Sequence, residues 1–117
     1  MTIDQSDLLR QANEFLESGD MDVIRIHEFE LDGDEHDDEA IEKLHIDFKK
    51  DFDISVTALS QQYGDPAKSG TDDDDAIPLT GIMHFAIWSI DDAGLFLAIS
   101  HEDRGTPILL MLGRTIE

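Results

Sequence analysis

Three apolar runs near the C-terminus constrain the fold more than any other feature of the sequence. They occupy residues 82–90 (IMHFAIWSI), 94–100 (GLFLAIS) and 106–112 (TPILLML), and short glycine-containing turns separate them. Apolar runs of this length between turn residues are typical of β-strands joined by hairpins. The sequence therefore predicts a three-stranded antiparallel meander. Because few positions in these runs are polar, we expect helices to cover one face of the sheet.

Helices are predicted ahead of the sheet. Apolar residues at helical spacing indicate a helix over residues 3–17. A second helix begins near Asp38, and its inward positions are Ile41, Leu44, Phe48 and Phe52. A further short helix runs from Asp53 or Ser55 to Tyr63. The predicted fold is thus α+β: one domain, residues 1–117, with N-terminal helices packed on a C-terminal antiparallel meander of three to four strands.

Two segments between these elements are harder to assign. Residues 23–31 (VIRIHEFEL) alternate between apolar and polar at first, which predicts a strand, but the alternation is lost towards the end. A bulge or a helical turn is therefore the open alternative. Residues 65–76 (DPAKSGTDDDDA) contain four consecutive aspartates, which cannot pack in a core. We expect them to form an exposed, mobile acidic loop.

Negative charge is the main indication of function. The 117 residues contain 28 Asp and Glu but only 8 Lys and Arg, which gives a net charge of −20. Residues 1–80 contribute −17 of this charge, and residues 81–117 contribute −3. Such a chain repels nucleic acid and anionic membranes, and it attracts cationic partners. The charge thus favours a basic protein partner, with enhanced solubility as the competing explanation.

The sequence offers little chemistry for an enzyme or a metal site. It has no cysteine, and its five histidines lack the His-Glu-x-x-His spacing of zinc enzymes. The acidic segment from Asp32 departs from a calcium-binding EF-hand loop, because Asp37 stands at the sixth position and Lys43 at the twelfth. His101 is interpreted as part of a turn. We therefore predict no catalytic residues, no metal site and no cofactor.

The sequence also indicates a cytoplasmic location. Its first residues, MTIDQSDLLR, are acidic and lack the basic and apolar regions of a secretory signal. Its apolar runs are shorter than the roughly 20 residues that a membrane helix needs.

The candidate contact surface for a basic partner consists of the carboxylates in the two most acidic segments. They are Asp32, Asp34, Glu35, Asp37, Asp38, Glu39, Glu42, Asp72, Asp73, Asp74 and Asp75.

One pattern in the second half of the chain resembles a known group of proteins. A helix ends at Gln62-Tyr63-Gly64-Asp65-Pro66, a strand containing Trp88 follows, and a later strand ends at Ser100-His101-Glu102-Asp103. In this pattern, and in its size and acidity, the chain is similar to immunity proteins of bacterial polymorphic toxin systems, including contact-dependent and type VI-secreted toxins. The resemblance implies a protein that neutralises a cognate toxin, commonly a nuclease with a basic cleft, by occluding its active site.

Two other functions stay open. The chain is also compatible with a DNA mimic or regulatory adaptor that binds a basic host protein. A small enzyme or metal-binding protein is the third hypothesis, and it predicts a pocket in which histidines and carboxylates cluster.

Overall fold

The computed structural model describes residues 5–27, 38–74, 76–77, 79, 81–90, 93–101 and 107–115. Within these residues the elements follow in the order α1 (Gln5–Ser18), β1 (Met21–His27), α2 (Asp38–Tyr63), β2 (Lys68–Gly70), β3 (Ile82–Ile90), β4 (Ala93–Ser100) and β5 (Ile108–Arg114). The α+β class is confirmed. The sheet has five strands in the described part of the chain, so the predicted number of three to four was too low.

The sheet is antiparallel throughout, with strand order β1-β5-β4-β3-β2. Strands β3, β4 and β5 form the meander predicted from the apolar runs. β1 overlaps the predicted strand segment 23–31 but begins two residues earlier, and it pairs with β5 at one edge. β2 lies inside the predicted acidic loop and pairs with β3 at the other edge. Its three residues, Lys-Ser-Gly, have no apolar pattern from which a strand could be predicted.

β1 contains a bulge that turns a charged residue towards the helices. The register with β5 shifts between Val23 and Arg25. The Arg25 guanidinium lies 4.4 Å from the centre of the Phe48 ring and forms an ion pair with Asp51, which is 5% exposed. This irregularity lies before Phe29 and Leu31, where the sequence left a bulge or a helical turn open and which fall outside the described residues. The largely buried ion pair beside it connects the edge strand to α2.

α2 is a single helix of 26 residues rather than the two helices predicted from the sequence. Ser55, proposed as a cap, is fully buried against the core instead. Asp53 accepts a hydrogen bond from Lys49 Nζ at 2.6 Å, so its side chain also lies within a continuous helix. The helix ends at Gly64, whose positive φ of 90° is typical of the residue after a helix.

Hydrophobic side chains pack on both faces of the sheet. On the helix side, Trp88 is 1% exposed and packs with buried residues of α1 and α2. On the other face, Phe85 and Phe96 pack with Ile77 from the β2–β3 connection. The sequence had indicated helical cover for one face, and the β2–β3 connection contributes to cover on the second. None of the helices in the described ranges combines the length and the apolar character needed to cross a membrane.

Candidate functional site

The structure describes only some of the carboxylates predicted to bind a partner. Glu39 and Glu42 are exposed on the first turns of α2. Asp72 and Asp73 are exposed in the β2–β3 connection. The following predicted residues lie outside the described part of the chain: Asp32, Asp34, Glu35, Asp37 and Asp75, together with the side chain of Asp38.

The aspartates of the β2–β3 connection have internal hydrogen-bond partners. Asp73 Oδ1 accepts the backbone N–H of Ile82 at 2.9 Å. Asp74 accepts the backbone N–H of Ala76 at 2.9 Å and forms an ion pair with Lys68. These bonds, first that from Lys68 and then that from Ala76, lower the pKa of Asp74 below its usual value. The described aspartates therefore shape this connection as well as carrying charge.

Asp74 departs from the expectation that this whole segment is exposed. Its side chain is only 10% exposed, whereas its partner Lys68 is 63% exposed. A carboxylate in this position is directed towards its own chain. Among the described aspartates of the run, Asp72 and Asp73 are thus better placed to meet another protein.

The two acidic segments reach the same end of the sheet. Asp73 accepts a hydrogen bond from the backbone N–H of Ile82, the first residue of β3. His101, which follows β4, donates its backbone N–H to Gly81 O at 2.9 Å, so β4 ends beside the start of β3. The His101 ring also contacts His45 of α2, one turn after the predicted carboxylates of that helix. We call this end of the sheet, marked by Gly81, Ile82 and His101, the acidic end.

Histidines from three elements also gather at the acidic end, and the sequence interpretation missed this arrangement. His45 Nε2 of α2 lies 2.9 Å from Nδ1 of His101, and the two rings meet edge to face. His84 of β3 lies near the Phe52 ring, with 6.0 Å between the ring centres. The sequence places His45 next to Leu44, on the edge of the predicted helix. No pattern in the sequence indicates that His101, 56 residues later, contacts this ring.

The environment of His45 and His84 favours their neutral forms. Partial burial lowers the pKa of His45, and the neighbouring His101 lowers it further, while Glu42 opposes the change. Burial also lowers the pKa of His84, where Lys49 adds to the effect and Asp53 opposes it. At neutral pH these rings are therefore available as hydrogen-bonding groups or as ligands.

A groove of about 280 Å³ opens beside the histidines, between α2 and the start of β3. Its lining residues include Glu42, His45, Ile46, Lys49, Asp53 and His84. Ile46 is 52% exposed, so an apolar side chain is available to a ligand or partner next to both charges and imidazoles. This combination matches the pocket expected under the third hypothesis from the sequence.

A second cleft lies at the opposite end of the sheet, between the C-terminal parts of α1 and α2 and the residues Ile90 and Ala93. It has a volume of about 570 Å³, and Asn13, Tyr63 and Arg114 contribute to its lining. The Tyr63 hydroxyl donates a hydrogen bond to Asn13 Oδ1, and burial raises the pKa of Tyr63. This contact joins the two helices. The sequence interpretation assigned no function to these residues.

Within the described residues, no group of three or more histidine, aspartate or glutamate side chains is arranged to hold a metal ion. Comparison of the chain with protein-family models, with curated proteins and with solved structures finds no match. The function must therefore be sought in the charges, exposed side chains and contacts of this chain itself.

Proposed function

We propose that this chain is a cytoplasmic inhibitor of the immunity-protein kind, which binds a basic bacterial toxin domain and occludes its active site. The observation that supports the proposal is that two acidic segments, far apart in the sequence, both lie towards the acidic end of the sheet. The contact surface comprises Glu39 and Glu42 of α2 together with Asp72 and Asp73 of the β2–β3 connection.

The division between charge and scaffold supports this assignment. Strands β3, β4 and β5 contain no carboxylate along their lengths. Exposed carboxylates of the described chain lie instead on the helices, in the connections and, at Asp22, on the edge strand β1. A rigid apolar sheet can hold such a surface in a fixed orientation, which reduces the entropy lost on binding.

Exposed apolar residues on α2 supply the second requirement for tight binding. Ile46 is 52% exposed and Ile54 is 38% exposed. Charged neighbours, including Glu42 and Asp53, lie along the same helix. Affinity in protein interfaces usually depends on a few apolar or aromatic anchors, whereas the surrounding charges govern association and orientation. Ile46 is the anchor closest in sequence to the proposed acidic contacts.

The physical basis of inhibition is competition for a positive cleft. A nuclease cleft is basic because it binds phosphates, and carboxylates presented there exclude the substrate. Electrostatic attraction of this kind raises association rates by about 10- to 1,000-fold, and salt reduces the gain. The proposal therefore requires both tight binding and association that slows as ionic strength increases.

The test is a measurement of binding kinetics with the product of the adjoining gene, at low and at moderate salt, together with the activity of that product. We expect binding and inhibition at both salt concentrations. The double variant Glu39→Lys/Glu42→Lys should associate about 10-fold more slowly or worse.

A matched control has the same change in charge on α1, away from the acidic end: Glu14→Lys/Glu17→Lys. It should slow association by no more than about threefold, because a distant charge is screened beyond about 8 Å. Equal effects of the two double variants would refute the acidic end as the contact surface. An absence of binding at both salt concentrations would refute inhibition of that product.

A further inference from the structure

The contact between His45 and His101 joins two elements that are otherwise far apart in the sequence. The ring centres are 5.0 Å apart, and the planes of the rings meet at 73°. Nε2 of one ring faces Nδ1 of the other at 2.9 Å. The backbone of His101 is anchored to Gly81 O, and His45 belongs to a helix whose next turn buries Phe48. Both imidazoles are thus held by ordered parts of the fold.

The separation of the two nitrogens is close to that of a metal chelate. A tetrahedral zinc ion binds imidazole nitrogen at about 2.0–2.1 Å, which places two such nitrogens about 3.3 Å apart. The 2.9 Å between His45 Nε2 and His101 Nδ1 would need to widen by only a few tenths of an ångström. A hydrogen bond accounts for the present contact. For a chelate, the proton between the two nitrogens must leave and both rings must turn so that their lone pairs meet at the ion.

We propose that His45 Nε2 and His101 Nδ1 together bind one transition-metal ion of the Zn²⁺, Ni²⁺ or Cu²⁺ class. Imidazole is a preferred ligand for these ions, whereas Mg²⁺ and Ca²⁺ prefer oxygen. The protein supplies two nitrogen ligands, and water or a carboxylate completes the coordination. The site bridges α2 and the end of β4, so the bound ion stabilises the folded chain.

The surroundings of the pair support this assignment. Glu42 lies three residues before His45 and lines the same groove. A Glu-x-x-His spacing on one helix turns both side chains towards the same side, as in metal-binding helical bundles. Glu42 does not complete a three-ligand group with the two histidines in the described part of this structure, so the proposed ligands are the two imidazole nitrogens.

Calorimetry and thermal denaturation of chelator-treated protein test the proposal. Titration with Zn²⁺ is carried out in excess Mg²⁺, which occupies nonspecific sites among the many carboxylates. We expect one equivalent of Zn²⁺ to bind and to raise the melting temperature, whereas Mg²⁺ alone produces no such discrete transition. Binding of Zn²⁺ without saturation at one equivalent would contradict a specific site.

Single substitutions then assign the ligands. His45→Gln and His101→Gln should each weaken Zn²⁺ binding by at least about 10-fold, since changes even outside the ligand set cost 10- to 100-fold at metal sites. His84→Gln is the matched control within the same groove, and His27→Gln is the control on β1. Both controls should keep the affinity within about threefold. An equal loss in His84→Gln would overturn the assignment to the pair.

A measurement on the unaltered chain avoids any effect of substitutions on folding. Paramagnetic Cu²⁺, added below one equivalent, should broaden the imidazole NMR signals of His45 and His101 before those of the other histidines. Equal broadening of all five, or broadening confined to carboxylate-bearing residues, would show nonspecific binding and overturn the proposal. This outcome is separate from inhibition of a toxin, which the metal site does not require.

Discussion

The two ends of α2 are attached to the sheet by different chemistry. At the C-terminal end, the buried Trp88 donates its indole N–H to Gly64 O at 2.9 Å. At the acidic end, His45 meets His101 through two titratable rings. The first contact does not change charge near neutral pH, whereas the second responds to protons and, as proposed, to metal ions. The contact of Trp88 with Gly64 therefore stabilises the fold independently of pH, whereas the strength of the contact between His45 and His101 depends on pH and, as proposed, on bound metal.

The largest effect is expected at the apolar attachment. Trp88→Ala should reduce the free energy of unfolding by about 3–5 kcal/mol, because it leaves a cavity and removes the hydrogen bond to Gly64. Urea denaturation measures the change. Ser89→Ala, at the exposed neighbouring position, should change stability by no more than about 0.5 kcal/mol. A small loss in Trp88→Ala would show that the C-terminal attachment is not the principal one.

The second-largest loss of stability is expected when the ion pair between Arg25 of β1 and Asp51 in the middle of α2 is broken. Asp51→Asn leaves the Arg25 charge unpaired where its side chain is only 20% exposed. We expect a loss of about 2–3 kcal/mol in the free energy of unfolding, somewhat less than for a fully buried pair. The matched control on the same helix is Asp53→Asn, which breaks an exposed pair with Lys49. It should cost at most about 0.5 kcal/mol. Similar losses in both variants would contradict the importance of burial.

The end of α2 offers a third, smaller test. Gly64 has φ of 90°, which a residue with a Cβ adopts only with strain, although no atom would obstruct that Cβ. Gly64→Ala should therefore cost about 1 kcal/mol, through backbone conformation alone. Gln61→Ala on the exposed face of the same turn serves as the control and should be nearly neutral. A neutral Gly64→Ala would mean that the helix end can relax without disturbing Trp88.

The smallest expected effect is a dependence of stability on pH. It tests whether the histidines at the acidic end cause this dependence. His45 and His84 have pKa values lowered in the folded state, so the unfolded chain binds more protons below the usual histidine pKa of about 6.5. Stability should be fully present above that pH and should fall as the pH decreases through the lowered values. His101, Glu42, Lys49 and Asp53 are the charged or titratable groups that modulate these two rings.

Urea midpoints of metal-free protein between about pH 7.5 and 5.5 measure this effect, since most carboxylates stay ionised there. The double variant His45→Gln/His84→Gln should show a flatter dependence than the unaltered chain. An identical slope in the double variant would place the pH response elsewhere in the molecule.

The sequence was most informative where apolar patterns are long. The three C-terminal runs correctly predicted β3, β4 and β5, because a strand buried on both faces leaves a continuous apolar segment. The alternation around Ile24 and Ile26 correctly predicted β1. α2 was divided wrongly, because Asp53 and Ser55 are common caps and only the packing of Ser55 against the core shows that the helix continues.

Contacts between distant residues could not be predicted from the sequence. β2 forms because β3 offers an edge for pairing, and its own three residues do not indicate a strand. The meeting of His45 with His101 depends on the placement of α2 over the end of β4. The role of Asp74 in an internal ion pair was likewise hidden within a run of identical residues. The binding of a basic partner by the acidic segments stays a prediction.

The bulge in β1 has a consequence for self-association. An edge strand presents unpaired backbone groups, and a long, regular, apolar edge can recruit a strand from another copy. β1 exposes Met21 and Ile26, which would favour such growth of the sheet. The irregular register near Ile24 interrupts the hydrogen-bond ladder that a second copy would extend, and the acidic Asp22 beside it repels an identical edge. We therefore expect the irregularity beside Arg25 to oppose pairing between two copies of β1.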